Sequence, residues 1–157
     1  MLGAITIMAM AAAGAAAAPA NDGAERWRLD DPLAAYVENS AGEVLGFDCV
    51  GASCRYVLAL YGDCQEGMLF GSIVNSQAGE TAATLRCNKN SKGSVLIIGG
   101  VDIGPLMSGD KIAFAFPQTD SLIAVARFSL AGASEAIATV MANAKQRGTV
   151  SDAAAPK

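Results

Sequence analysis

The chain has 157 residues and a formal charge of −4, with 11 Lys and Arg against 15 Asp and Glu and no histidine at all. Mild acidity without a basic patch argues against nucleic acid and against anionic membrane surfaces as partners. The missing histidine excludes the commonest general base, Ser-His and Cys-His nucleophiles, and every metal site built on imidazole.

Leu2 to Ala18 carry no charge, and the run ends in Ala18-Pro19-Ala20 before Asn21-Asp22. It is too rich in alanine to hold as a spanning helix, and small residues at positions 18 and 20 suit signal peptidase. The pattern predicts a signal peptide over 1–20, cleaved after Ala20, although the Lys or Arg that usually precedes such a run is missing. A periplasmic or secreted protein with no membrane span after cleavage follows. Residues 21–148 read as a single β-rich domain of common size, and 149–157, small, polar and ending near Pro156, as a disordered tail.

Within the domain, Trp27-Arg28-Leu29 begins a first strand. Turn-forming clusters then recur at roughly ten-residue spacing: Asn39 to Gly42, Val50 to Ser53, Gly62-Asp63, Asn75 to Gly79, Asn88 to Gly93, Ser108 to Asp110, and Pro117 to Asp120. The runs between them, such as Val95 to Ile98 and Ile112 to Phe116, are rich in β-branched and aromatic residues. The last segment changes period. After Phe128-Ser129-Leu130, Gly132 offers a break and Ser134 an N-cap, and Ile137, Val140, Met141 and Ala144 recur at helical spacing, with Glu135 in the first turn and Gly148 as the stop. The expected architecture is all-β: an antiparallel β-sandwich or flattened barrel of seven to nine strands, closed by a C-terminal α-helix.

Four cysteines, Cys49, Cys54, Cys64 and Cys87, favour two disulfides in an exported chain over a four-thiolate zinc site, since no C-x-x-C knuckle is present. Leu45, Phe47 and Cys49 alternate on one strand and Cys54, Tyr56, Leu58 and Leu60 on the next, so a hairpin with a loop over Val50 to Ser53 sets Cys49 opposite Cys54. By elimination Cys64 pairs with Cys87. Three pairings are open to four cysteines, and this one rests on strand phase.

Candidate chemistry is sparse. Asp102, Asp110 and Asp120 lie in or beside loops where a sheet can gather carboxylates, but no dense ligand run accompanies them, and isolated loop aspartates more often cap turns. Gly99-Gly100-Val101-Asp102-Ile103-Gly104-Pro105 follows a strand, yet it lacks the spacing of a phosphate loop and reads as a bulge or bend. Trp27, Tyr36, Tyr56, Tyr61 and Phe70 suit either a ligand groove or the core. Arg55 and Tyr61 are the best binding candidates, because they fall in the outward phase of the strand carrying Tyr56, Leu58 and Leu60.

The export signal, the early Trp27, the paired cysteines in β-rich sequence and the closing stretch from Phe128-Ser129-Leu130 through Ser134-Glu135-Ala136-Ile137 resemble the invasion-associated locus B family of exported bacterial proteins. The resemblance implies a small periplasmic or surface β-sandwich with no assigned active site, and it supplies no catalytic residue. The reading is an exported binding or interaction module, without catalytic activity, cofactor or metal, that acts on a protein, an envelope component or a small ligand. A small carboxylate-dependent envelope enzyme and an inhibitor of a hydrolase are the alternatives.

Overall fold

The computed structural model describes residues 25–51, 53–60, 62–90, 93–117 and 122–153. The expected signal peptide lies outside the described residues. Nine strands form one antiparallel sheet: β1 (Arg28–Asp31), β2 (Ala34–Glu38), β3 (Val44–Val50), β4 (Ser53–Ala59), β5 (Leu69–Ser76), β6 (Gly79–Asn90), β7 (Gly93–Gly99), β8 (Lys111–Pro117) and β9 (Ile123–Ser129). Their spatial order is β1-β2-β3-β4-β7-β6-β5-β8-β9. Among the described residues a single α-helix, α1 (Ala133–Ala153), follows the last strand. The all-β class with a C-terminal helix is thus the fold of the molecule.

Alternation decides which face goes inward. Leu45, Phe47 and Cys49 on β3, Leu85 and Cys87 on β6, and Ile112, Phe114 and Phe116 on β8 are all buried in one core. Successive side chains of a strand point to opposite faces, so each such run delivers its large residues to the same side. Phe114 and Phe128 meet edge to face across β8 and β9, with ring centroids 6.2 Å apart. Full burial of each such side chain contributes about 1.5–3 kcal/mol.

The sheet is not closed by a ladder, but its two ends meet. The Trp27 backbone N–H donates to the Ala131 carbonyl at 3.0 Å. Trp27 Nε1 donates to the Ser129 carbonyl at 3.1 Å, and Asn39 Nδ2 donates to the Arg127 carbonyl at 3.1 Å. Side chains at the start of the fold therefore satisfy carbonyls on the free edge of β9, which blunts an edge that would otherwise present unpaired backbone.

Both disulfides expected from strand phase are present. Cys49 and Cys54 are register partners on β3 and β4 with Cα atoms 4.0 Å apart. Val50 pairs with Ser53, so the connection is tighter than the four-residue loop expected. Gly51 adopts a φ of 61°, the left-handed conformation such a turn demands. Cys64 bridges to Cys87 with Cα atoms 6.0 Å apart.

The helix departs from expectation at three points. Gly132, with a φ of 78°, makes the break, and its carbonyl accepts the Ala136 N–H at 3.1 Å, so Ser134 sits in the first turn and not at the cap. Val140 and Ala144 are buried as expected and Ile137 packs partly against the core, but Met141 is 42% exposed, and Ala133 and Ala136 complete the buried stripe. The helix packs on β1, β2 and β3, and a stripe of alanines lets its backbone come close. Finally, α1 runs through Gly148, so the tail expected from Thr149 is helical as far as Ala153. One glycine costs only about 1 kcal/mol in a helix interior, which the preceding turns can carry.

Candidate binding cleft

Three backbone devices shape a hollow between α1 and the sheet. Gly132 turns the chain from β9 into the helix, and a Cβ there would lie 3.4 Å from Arg26 Nε and 3.6 Å from the Trp27 carbonyl oxygen. Asp102 Oδ1 accepts the Gly104 N–H at 2.8 Å, an Asx-turn that leads into the short 3-10 turn Gly104–Leu106. Gly109, with a φ of 99°, carries the chain past Gln77, whose Oε1 accepts the Asp110 N–H at 2.9 Å.

Between these walls lies a cleft of about 840 Å³, lined by Tyr56 from β4, Met107 and Ser108 after the 3-10 turn, Leu130, and Ile137 and Met141 from α1. That size and composition fall in the range of small-molecule sites. Tyr56 stacks tilted on Phe47 at 4.8 Å between centroids. Burial first, and the Asp102 carboxylate second, push its hydroxyl up to about 12, so it stays protonated as a hydrogen-bond donor. Ser108, Ser134 and Glu135 supply the remaining polar groups of the lining. Ser72 is the buried polar residue among those described, and its hydroxyl is committed to the Ala115 carbonyl at 3.0 Å.

The residues singled out from sequence fall elsewhere. Arg55 is half-buried and forked onto its register partner Asp48, Nε to Oδ1 at 2.8 Å and Nη2 to Oδ2 at 3.3 Å. The outward phase is as expected, but the guanidinium already has a carboxylate across the strand. Tyr61 and Asp120 lie outside the described residues. Asp102 caps its own turn, the Asp110 carboxylate accepts from Gln77 Nε2 at 3.4 Å, and no group of three or more potential metal ligands occurs among the described residues. Cys49, Cys54, Cys64 and Cys87 are all bridged. Trp27 is a core residue, and Tyr36 carries the Arg28 guanidinium over its ring at 4.7 Å. Asp63, fully exposed, is held below the usual carboxylate range by Ser94 Oγ and then by Lys89.

Sequence reasoning missed Met107, Ser108 and the role of Ile137 and Met141. The i, i+4 spacing of the last two is visible in the sequence and predicts core packing alone. No family model matches the chain, and neither a curated protein nor a solved structure matches it.

Proposed function

We propose that this protein is an exported periplasmic or secreted binding module, without catalytic activity, that takes an apolar or amphipathic ligand in the cleft beneath α1. The observation that carries the reading is the cleft itself: thioethers, Ile137 and Leu130 for an apolar body, with Tyr56 and two serine hydroxyls for a polar end. The ligand is a small molecule or an acyl or apolar side chain of an envelope component. Two disulfides fit an oxidising compartment, and among the described residues no helix is long and apolar enough to cross a membrane. Kinship with the invasion-associated locus B family is part of the same proposal, supported by Trp27 and the stretch from Phe128 to Ile137.

Fluorescence titration with an anilinonaphthalene sulfonate tests the site. Saturable binding at one site is expected, and Ala138→Trp, at an exposed helix position that also lines the cleft, should fill it and abolish binding while leaving the unfolding midpoint in place. Absence of saturable binding, or binding that Ala138→Trp leaves untouched, overturns the cleft assignment. Export is tested separately: mass analysis of protein from the envelope fraction should give Asn21 as the first residue, and an intact Met1 on cytoplasmic protein overturns that part.

A further inference from the structure

The outward face of the four strands β6, β5, β8 and β9 carries several large apolar side chains where a solvated sheet face would be polar. Ile73, Val125, Ile123 and Leu69 are 44%, 42%, 72% and 64% exposed. Registers place these residues in rows that run across the strands. One row reads Ala82, Ile73, Ala115, Val125, from Ala82 opposite Ile73, Ile73 opposite Ala115, and Ala115 opposite Val125. The neighbouring row reads Glu80, Asn75, Ala113, Arg127, by the same three ladders. A hollow of about 340 Å³ opens on this face, lined by Gly71, Ala82, Ala115, Ile73 and Ile123 among others.

We propose that this face is the interface of a two-fold homodimer, with the dyad parallel to the strands and running between β5 and β8. Such a dyad lays β6 over β9 of the second copy and β5 over β8 of the second copy, and it keeps every row at its own height along the strands. Residue sizes then complement one another. Ile73 stands over Ala115 of the second copy, Val125 over Ala82 and Ile123 over Thr84, so that each large side chain faces a smaller one or the hollow. Charges match by the same operation, because Glu80 at one end of the polar row meets Arg127 at the other end of the same row in the second copy.

The charge match is what singles out a second copy over any other occupant. Glu80 and Arg127 are both exposed, and neither makes an ion pair among the described residues. Within one chain they sit three strand spacings apart, roughly 14 Å, too far to bridge. Only the dyad brings them together, and it does so twice. Aligned packing of two sheets, with strand directions within about 30°, is an ordinary geometry for such faces, and apolar patches of this kind on exported domains mark contact surfaces.

Sedimentation equilibrium of the whole protein tests the proposal. The wild type should show a monomer–dimer equilibrium, and Val125→Glu or Ile73→Glu should give monomer with unchanged circular dichroism and unfolding midpoint at low protein concentration. Glu80→Arg and Arg127→Glu should each weaken dimerisation about tenfold or more, and the double charge reversal should restore it to within a few-fold of wild type. A wild-type monomer at roughly 100 µM, where a micromolar interface would be filled, overturns the proposal and leaves the face to a different partner. A dimer that survives Val125→Glu, or a double reversal that fails to recover the loss, overturns it as well. Ala138→Trp should leave the dimer intact, which separates this surface from the cleft.

Discussion

The β3–β4 hairpin and the segment from Gly62 to Met68 each end on a disulfide, yet the two differ in what else holds them. The hairpin is paired along its whole length, from Val44 opposite Ala59 to Val50 opposite Ser53, and it places Leu45 and Leu58 fully in the core. The Gly62–Met68 segment has no ladder of its own. It is tied to β6 by Gly67 N–H to the Cys87 carbonyl at 2.9 Å and Cys87 N–H to the Met68 carbonyl at 2.8 Å. Exposed polar contacts complete it: Asp63 with Lys89 Nζ at 2.9 Å and with Ser94 Oγ at 2.6 Å, and the Glu66 carboxylate with the Lys89 N–H. The same covalent bond therefore repeats a constraint in the first region and supplies one in the second.

The largest expected effect breaks the hairpin without touching its bridge. Leu58→Asp would leave a charge in a fully buried site and should cost more than about 4 kcal/mol, seen as loss of a cooperative denaturant transition. Next comes removal of the second bridge. Cys64→Ala with Cys87→Ala reopens a separation of 23 residues and should lower stability by about 3 kcal/mol, with new proteolytic cleavage confined to the Gly62–Met68 segment. Cys49→Ala with Cys54→Ala reopens a separation of only 5 residues inside an intact ladder, so the loss should stay below about 2 kcal/mol and create no new cleavage site. Equal losses from the two double variants would end the contrast.

Smaller effects sharpen it. Arg55→Ala removes a partly exposed cross-strand pair, with side chains 38% and 31% exposed, and should cost about 0.2–1 kcal/mol in the same denaturation assay. The smallest signal is a pH dependence belonging to the Gly62–Met68 segment alone. Asp63 has a lowered folded pKa, so its contribution is present above the unfolded value and is lost as pH falls below about 4, through the folded value. A slight extra decline of the unfolding midpoint in that window should vanish in Asp63→Asn.

What could be read in advance followed from period and register. The alternation of Leu45, Phe47 and Cys49 gave the hairpin its phase, and once Cys49 faces Cys54 the pairing of Asp48 with the binding candidate Arg55 is implied by the same count. The helix was legible as an element and, through Val140 and Ala144, in part of its buried stripe. Helical spacing includes Met141, which is exposed, and passes over Ala133 and Ala136, which close packing on the strands buries. The cleft was not legible because its walls come from Tyr56, Met107, Leu130 and Ile137, brought together only by the curl of the sheet. The apolar outer face was hidden for a related reason: Ile73 and Val125 look like any strand residues until the registers show them in one row.

The bond from Trp27 Nε1 to the Ser129 carbonyl spans 102 positions, and the Trp27 backbone reaches two residues further. A chain made from its N-terminus presents Trp27 before every strand and its acceptors only with and after β9. Until β9 has emerged, the indole has nowhere dry to go, so closure is a late, all-at-once event set by the arrival of the final strand. Growing chains that stop short of Leu130 should stay open and protease-sensitive, and a single residue just before the first strand thereby times the completion of the whole fold.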